Sequence, residues 1–157
     1  RAATTRLPGG SGPRHVAFSP DSKLAVVTLE LAGGLAVLRL DEGAPELVRV
    51  VPPAEEGDQP GEAAFSPDGR FVYVSVRGRD ALDVYALAEG GELERVQGVP
   101  TGGHVPRHLV LTPDGRFVLV GNQEGGTVAV FPRDADSGRV GKARLFEAPT
   151  PAGLLLV

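Results

Sequence analysis

One ten-residue phrase occurs three times in this chain: FSPDSKLAVV at 18–27, FSPDGRFVYV at 65–74 and LTPDGRFVLV at 111–120. Its prolines, Pro20, Pro67 and Pro113, are spaced by 47 and 46 residues. A second register agrees, since GPRHVAF, QPGEAAF, VPRHLVL and TPAGLLL carry Pro13, Pro60, Pro106 and Pro151 at intervals of 47, 46 and 45. Fixed-period self-similarity of this length marks a repeat architecture. Each unit reads as four short strands; in the second these are EAAF, FVYVSV, LDVYAL and LERVQGV. Pro-Asp-Gly between the first two strands is a tight turn, with Pro fixing φ and Gly allowing a positive one. No helical period is sustained. Four strands per repeat of about 46 residues is the pattern of a β-propeller blade.

The expected architecture is therefore all-β: one partial β-propeller domain over 1–157, with blades at 13–53, 60–100 and 106–149. PTPAGLLLV reads as a lone first strand, so 151–157 is expected to be the strand that closes the ring. Three blades do not close a ring of the usual four to eight. The chain begins at Arg1 without Met, and the expectation is that N-terminal blades precede it, or that a second chain packs on the open faces. Such faces are apolar, and patches well beyond a few hundred Å² are rarely left bare.

Composition narrows the function. With no cysteine there are no disulfides, thiolate metal sites or cysteine nucleophiles. A net charge of −4 argues against nucleic acid as the main partner. No apolar run approaches the roughly 20 residues of a membrane span, and no signal-peptide core opens the chain. The 22 glycines and 14 prolines are spread at regular intervals, as turns require. The acidic run Glu55-Glu56-Gly57-Asp58 lacks the spacing of a calcium loop and reads as a solvated loop. No metal or cofactor pattern is found.

Comparison of equivalent positions locates the chemistry. Because neighbouring strands are antiparallel, the start of each first strand and the end of each second strand share one edge of the disc. The Pro-Asp-Gly turns occupy the other edge and repeat almost verbatim. At the first edge the units diverge: Arg14-His15, Gly61-Glu62 and Arg107-His108 open the first strands, and Glu30, Arg77 and Gln123 end the second. Identical positions serve folding, whereas divergent polar positions around a shared mouth point to a site. Arg14, His15, Glu30, Glu62, Arg77, Arg107, His108 and Gln123 together supply cations, imidazoles and carboxylates. That set suits an anionic small molecule and acid–base chemistry upon it. A neutral His15 or an ionised Glu62 is suited to proton transfer, which arginine is not. Arg77 and Arg107 are suited to an oxyanion or an anionic group.

GSGPRHVAFSPDSKLAVV, SPDGRFVYVSVRGRD and TGGHVPRHLVLTPDGRFVLVGNQ resemble the lactonase family of seven-bladed propellers. This family includes propeller-type 6-phosphogluconolactonases and carboxymuconate lactonizing enzymes. The resemblance runs over essentially the whole chain and implies that it is the C-terminal part of such a ring. It further implies a metal-independent, cytoplasmic hydrolase of sugar-acid lactones, with 6-phosphogluconolactone as first choice. His15, Glu62, Arg77 and Arg107 are the implied catalytic residues; Arg14, Glu30, His108 and Gln123 are the implied substrate-binding residues. The family usually has amides at the positions of Leu29 and Val76, so the resemblance leaves the substrate open at these two places. Two other readings are a lactonizing enzyme of the same family and a non-enzymatic binding propeller. The ionic mouth, without exposed aromatic anchors, favours the enzyme.

Overall fold

Twelve strands account for nearly all the regular structure in the computed structural model, which describes residues 3–40 and 43–156. They form three antiparallel four-stranded sheets. The first blade contains β1 (Pro13–Phe18), β2 (Leu24–Leu29), β3 (Gly34–Arg39) and β4 (Glu46–Val51). The second contains β5 (Pro60–Phe65), β6 (Phe71–Val76), β7 (Ala81–Leu87) and β8 (Leu93–Pro100), and the third β9 (Pro106–Leu111), β10 (Phe117–Asn122), β11 (Thr127–Pro132) and β12 (Arg144–Glu147). Strands within a blade are hydrogen-bonded in chain order. A single 3₁₀ turn, Arg77–Arg79, is the only helical element among the described residues.

The repeated phrase folds as it does because each turn satisfies its own polar groups. Ser19, Ser66 and Thr112 each donate to the turn aspartate, at 2.7, 2.5 and 2.6 Å. Their hydroxyls also accept the main-chain N–H that opens the next strand. Asp21, Asp68 and Asp114 accept the N–H of the residue two positions on. Gly69 and Gly115 take φ of +73° and +67°, and the first blade places Ser22 there at +58°.

The blades stack through the two faces of their strands. Alternation sends Val72, Val74 and Val76 of β6 toward Val26, Leu35 and Val37 of the first blade. Phe71 and Tyr73 face the other way, onto Leu109, Val118, Val120 and Phe131 of the third. The central blade is thus covered on both sides, and every residue of β6 is buried. The innermost strands β1, β5 and β9 lie in a row, each against the next.

Two features lie at the ends of the row of blades. Residues 151–156 form no strand, and Val157 lies outside the described residues. The carbonyl of Pro151 sits against Gly121, so close that a Cβ on Gly121 would meet it at 2.6 Å. The segment therefore begins where a fourth inner strand would, but among the described residues it has no neighbouring strand to complete a ladder. Nor is the outer face of the first blade bare. Val27, Leu29 and Ala36 are buried there, with Leu7 of the N-terminal segment packed over them. The outer side of the third blade is more open, with Phe146 of β12 about half exposed.

Candidate functional site

Inner strands carry most of the mouth. Each has a bulge in the same place: Arg14-His15 and Gly61-Glu62 stand opposite Thr28 and Ser75, and Arg107 is the extra residue in β9. A bulge bends the strand and re-aims its side chains. Here it turns the repeat's polar residues into the mouth. Glu30, Arg77 and Gln123 follow directly after β2, β6 and β10.

Six of the eight expected residues form one chain of contacts, mostly across blade boundaries, and Arg107 and Gln123 pair beside it. His15 Nε2 is 3.1 Å from Glu62 Oε1, and His108 Nε2 is 3.7 Å from the same oxygen. The Leu154 amide approaches His108 Nδ1 at 3.4 Å, extending the row from blade to blade. Arg14 lies 3.7 Å from Glu30 and 3.9 Å from Glu62, and donates at 2.6 Å to the Gly61 carbonyl. Arg77 is hydrogen-bonded to Glu30. Arg107 reaches only the Gln123 amide oxygen, at 3.3 Å. Among the described residues it is the one mouth arginine without a carboxylate partner. Gly61 occupies the place held by arginine in the other blades, where a Cβ would lie 2.9 Å from Ser75 Oγ.

The electrostatics follow from this packing. Burial pushes the Glu62 carboxyl above its ordinary value, with Arg14 opposing the rise. Burial, then the charge on Arg14, pushes the His15 and His108 imidazoles below theirs. The bond from Arg77 holds the Glu30 carboxyl low. The two shifts run toward each other, and the two groups stand 3.1 Å apart. A groove of about 480 Å³ runs from Glu62 and His108 between β5 and β9 to Phe18, Pro67 and Pro113.

Several features had no strong signal in the sequence. Thr28 and Ser75 are fully buried. Their hydroxyls accept the amide N–H of His15 and Glu62, at 3.0 and 2.9 Å. The only hint is a hydroxyl at the same repeat position of two otherwise apolar strands. Leu29, Val76 and Asn122 are buried inside the blades rather than in the mouth. The side chains at 29 and 76 are therefore enclosed by the blades. The loop at 55–58 is not simply solvated either. Asp58 is 6% exposed and bonds Arg79 at 2.6 Å, and Arg79 and Arg95 converge on the buried Asp83. These pairs tie Asp58 and Glu55 to the arginines of the second blade. His104 is exposed and bonded to Asp80 at 2.7 Å, away from the Glu62 row.

Comparisons with known proteins identify the family and the fold. The profile of the family "Lactonase, 7-bladed beta-propeller" matches residues 1–155. The chain is 37% identical over 138 residues to the 6-phosphogluconolactonase of Bacillus subtilis strain 168, covering 83% of this chain and 40% of that protein. It superposes on the periplasmic gluconolactonase of Pseudomonas aeruginosa with a TM-score of 0.86 and 36% identity, over 93% of this chain and 42% of that one. A protein from Lactobacillus plantarum gives a TM-score of 0.88 at 33% identity, over 93% and 45%. The chain spans about two-fifths of the length of these relatives.

Proposed function

The chain belongs to the lactonase family of seven-bladed β-propellers, and on that premise we propose that it supplies three blades and the proton-transfer half of a sugar-acid lactonase site. The observation that carries this reading is Glu62 held between His15 and His108, with Arg14 beside it and Arg77 paired to the neighbouring Glu30. In hydrolysis, the proton-free His15–Glu62 pair takes a proton from water as its oxygen attacks the lactone carbonyl. The acyl C–O bond of the ring breaks, and the released ring oxygen takes a proton to become a hydroxyl. The product is the open hydroxy acid.

The arginines divide the remaining work. Arg107, free of a carboxylate, holds the anionic group of the substrate through its planar donor fork. Arg77 and Arg14, both neutralised in part by Glu30, stabilise the charge that grows on the carbonyl oxygen. Gln123 orients Arg107, and His108 supports Glu62. A phosphate at the far end of the sugar acid suits Arg107, which makes 6-phosphogluconolactone the first substrate to try. A phosphorylated substrate also favours a cytoplasmic setting. No described helix is long and apolar enough to cross a membrane.

The direct test is hydrolysis of 6-phosphogluconolactone and of unphosphorylated gluconolactone by the intact protein and by Glu62→Gln. The expected result is turnover of the phosphorylated substrate and a large loss of kcat in the variant. An intact protein inactive on both lactones would overturn the proposal.

A further inference from the structure

The bulges in β1 and β5 raise a question of hydrogen bonding. Each sets two residues against one, so a main-chain N–H loses its place in the ladder just where a site residue stands. A buried N–H left unpaired is costly. The His15 amide is satisfied by Thr28 Oγ1 at 3.0 Å, and the Glu62 amide by Ser75 Oγ at 2.9 Å. Thr28 does more, because its hydroxyl donates in turn to the Gly61 carbonyl of the next blade at 3.1 Å. That carbonyl also receives Arg14 Nη1 at 2.6 Å. One buried hydroxyl therefore grips the backbone of His15 and the peptide immediately before Glu62. The third blade has Gly121 at this position and no hydroxyl, and there His108 pairs with Gly121 in register.

We propose that Thr28 and Ser75 are positioning residues whose hydroxyls replace the lost ladder bonds and set the spacing of His15 and Glu62 across the blade boundary. The proposal rests on the assignment of His15 and Glu62 as the proton-transfer pair. Neither hydroxyl faces the groove, so both act through the backbone of the residues they hold.

The test uses the intact protein with Thr28→Val, which keeps the shape and removes the hydroxyl, and Thr28→Ser, which keeps the hydroxyl. Two readouts are needed: the NMR titration of the His15 imidazole, and kcat and KM on 6-phosphogluconolactone. In Thr28→Val the His15 midpoint is expected to rise toward the ordinary imidazole value as the ring loosens into water. Here kcat should fall at least about tenfold, with KM little changed, as misplacement of reacting groups does. Thr28→Ser should restore both. A folded Thr28→Val with an unchanged midpoint and unchanged kcat overturns the proposal. Should Thr28→Val fail to fold, Ser75→Ala, which leaves the Thr28 tie intact, is read by the same titration, and an unchanged midpoint there counts equally against it. An intact protein without lactonase activity would defeat the functional reading alone, because the titration still decides the positioning role.

Discussion

Arg107 and Arg70 are the same side chain on the same repeat, at opposite ends of their blades. Arg107 opens β9 at the mouth with only Gln123 beside it, whereas Arg70 is tied to Asp68 at 2.9 Å on the turn edge. Arg107→Ala and Arg77→Ala should each lower kcat/KM more than tenfold, since removing a charged donor from a developing anion costs about 2–4 kcal/mol. Arg70→Ala and Arg116→Ala should leave activity nearly unchanged; equal losses at both edges in steady-state kinetics would dissolve the site assignment. The acid limb of kcat/KM gives a second check. His15 must be neutral and Glu62 ionised for the pair to accept a proton, and burial moves their ordinary values of 6.5 and 4.5 toward each other. Activity should therefore fall on acidification, with a midpoint displaced from that of an ordinary imidazole toward lower pH where His15 is the limiting group. A midpoint at or above 6.5 would remove the pair from the base role. The eight mouth residues were legible because divergence at one edge stands out against repetition at the other. Thr28 and Ser75 were not, because a hydroxyl in an apolar strand does not reveal which distant amide it serves.

At the level of the turns, three copies of one device allow an internal comparison. Gly69 and Gly115 adopt a positive φ freely, but Ser22 pays for φ +58° with its Cβ. No side-chain bond of Ser22 compensates among the described residues. Ser22→Gly should therefore stabilise the protein by about 1 kcal/mol. Thermal unfolding should show a rise of about 2–4 °C; a lower melting temperature would mean that the unfolded-state entropy of glycine outweighs the relief. The strands themselves were readable from the repeated phrase, since turn chemistry and alternation point to the same answer in every unit. The segment 151–156 depends on more than its own sequence. Its sequence resembles the start of β1, β5 and β9, but a strand exists only when a neighbour accepts its hydrogen bonds. The buried pairing of Asp58 with Arg79 was hidden for a similar reason, since a loop carboxylate finds its partner only once the chain has folded.

The three blades together have an end face on each side that is covered only in part. Leu7 packs over part of the first blade, where Val16 and Val50 stay 42% and 43% exposed, and Phe146 remains about half exposed on the third. We expect a protein consisting of residues 1–157 alone to self-associate. The same residues joined to further blades should stay dispersed, because the added sheet buries those side chains. Sedimentation velocity distinguishes the two, and a dispersed, well-folded 157-residue monomer would show that the sector needs no cover. The way the mouth is wired also bears on how such a chain can change over generations. His15 meets Glu62, Glu30 meets Arg77, and Glu62 meets His108, each time across the seam between one unit and the next. Duplicating or exchanging a whole unit would leave stacking and turns intact, since every unit brings its own. It would also part each charged group from the neighbour that gives it meaning. A gene built by copying can therefore gain or lose blades with little harm to folding, while its chemistry is inherited only when adjacent units travel together.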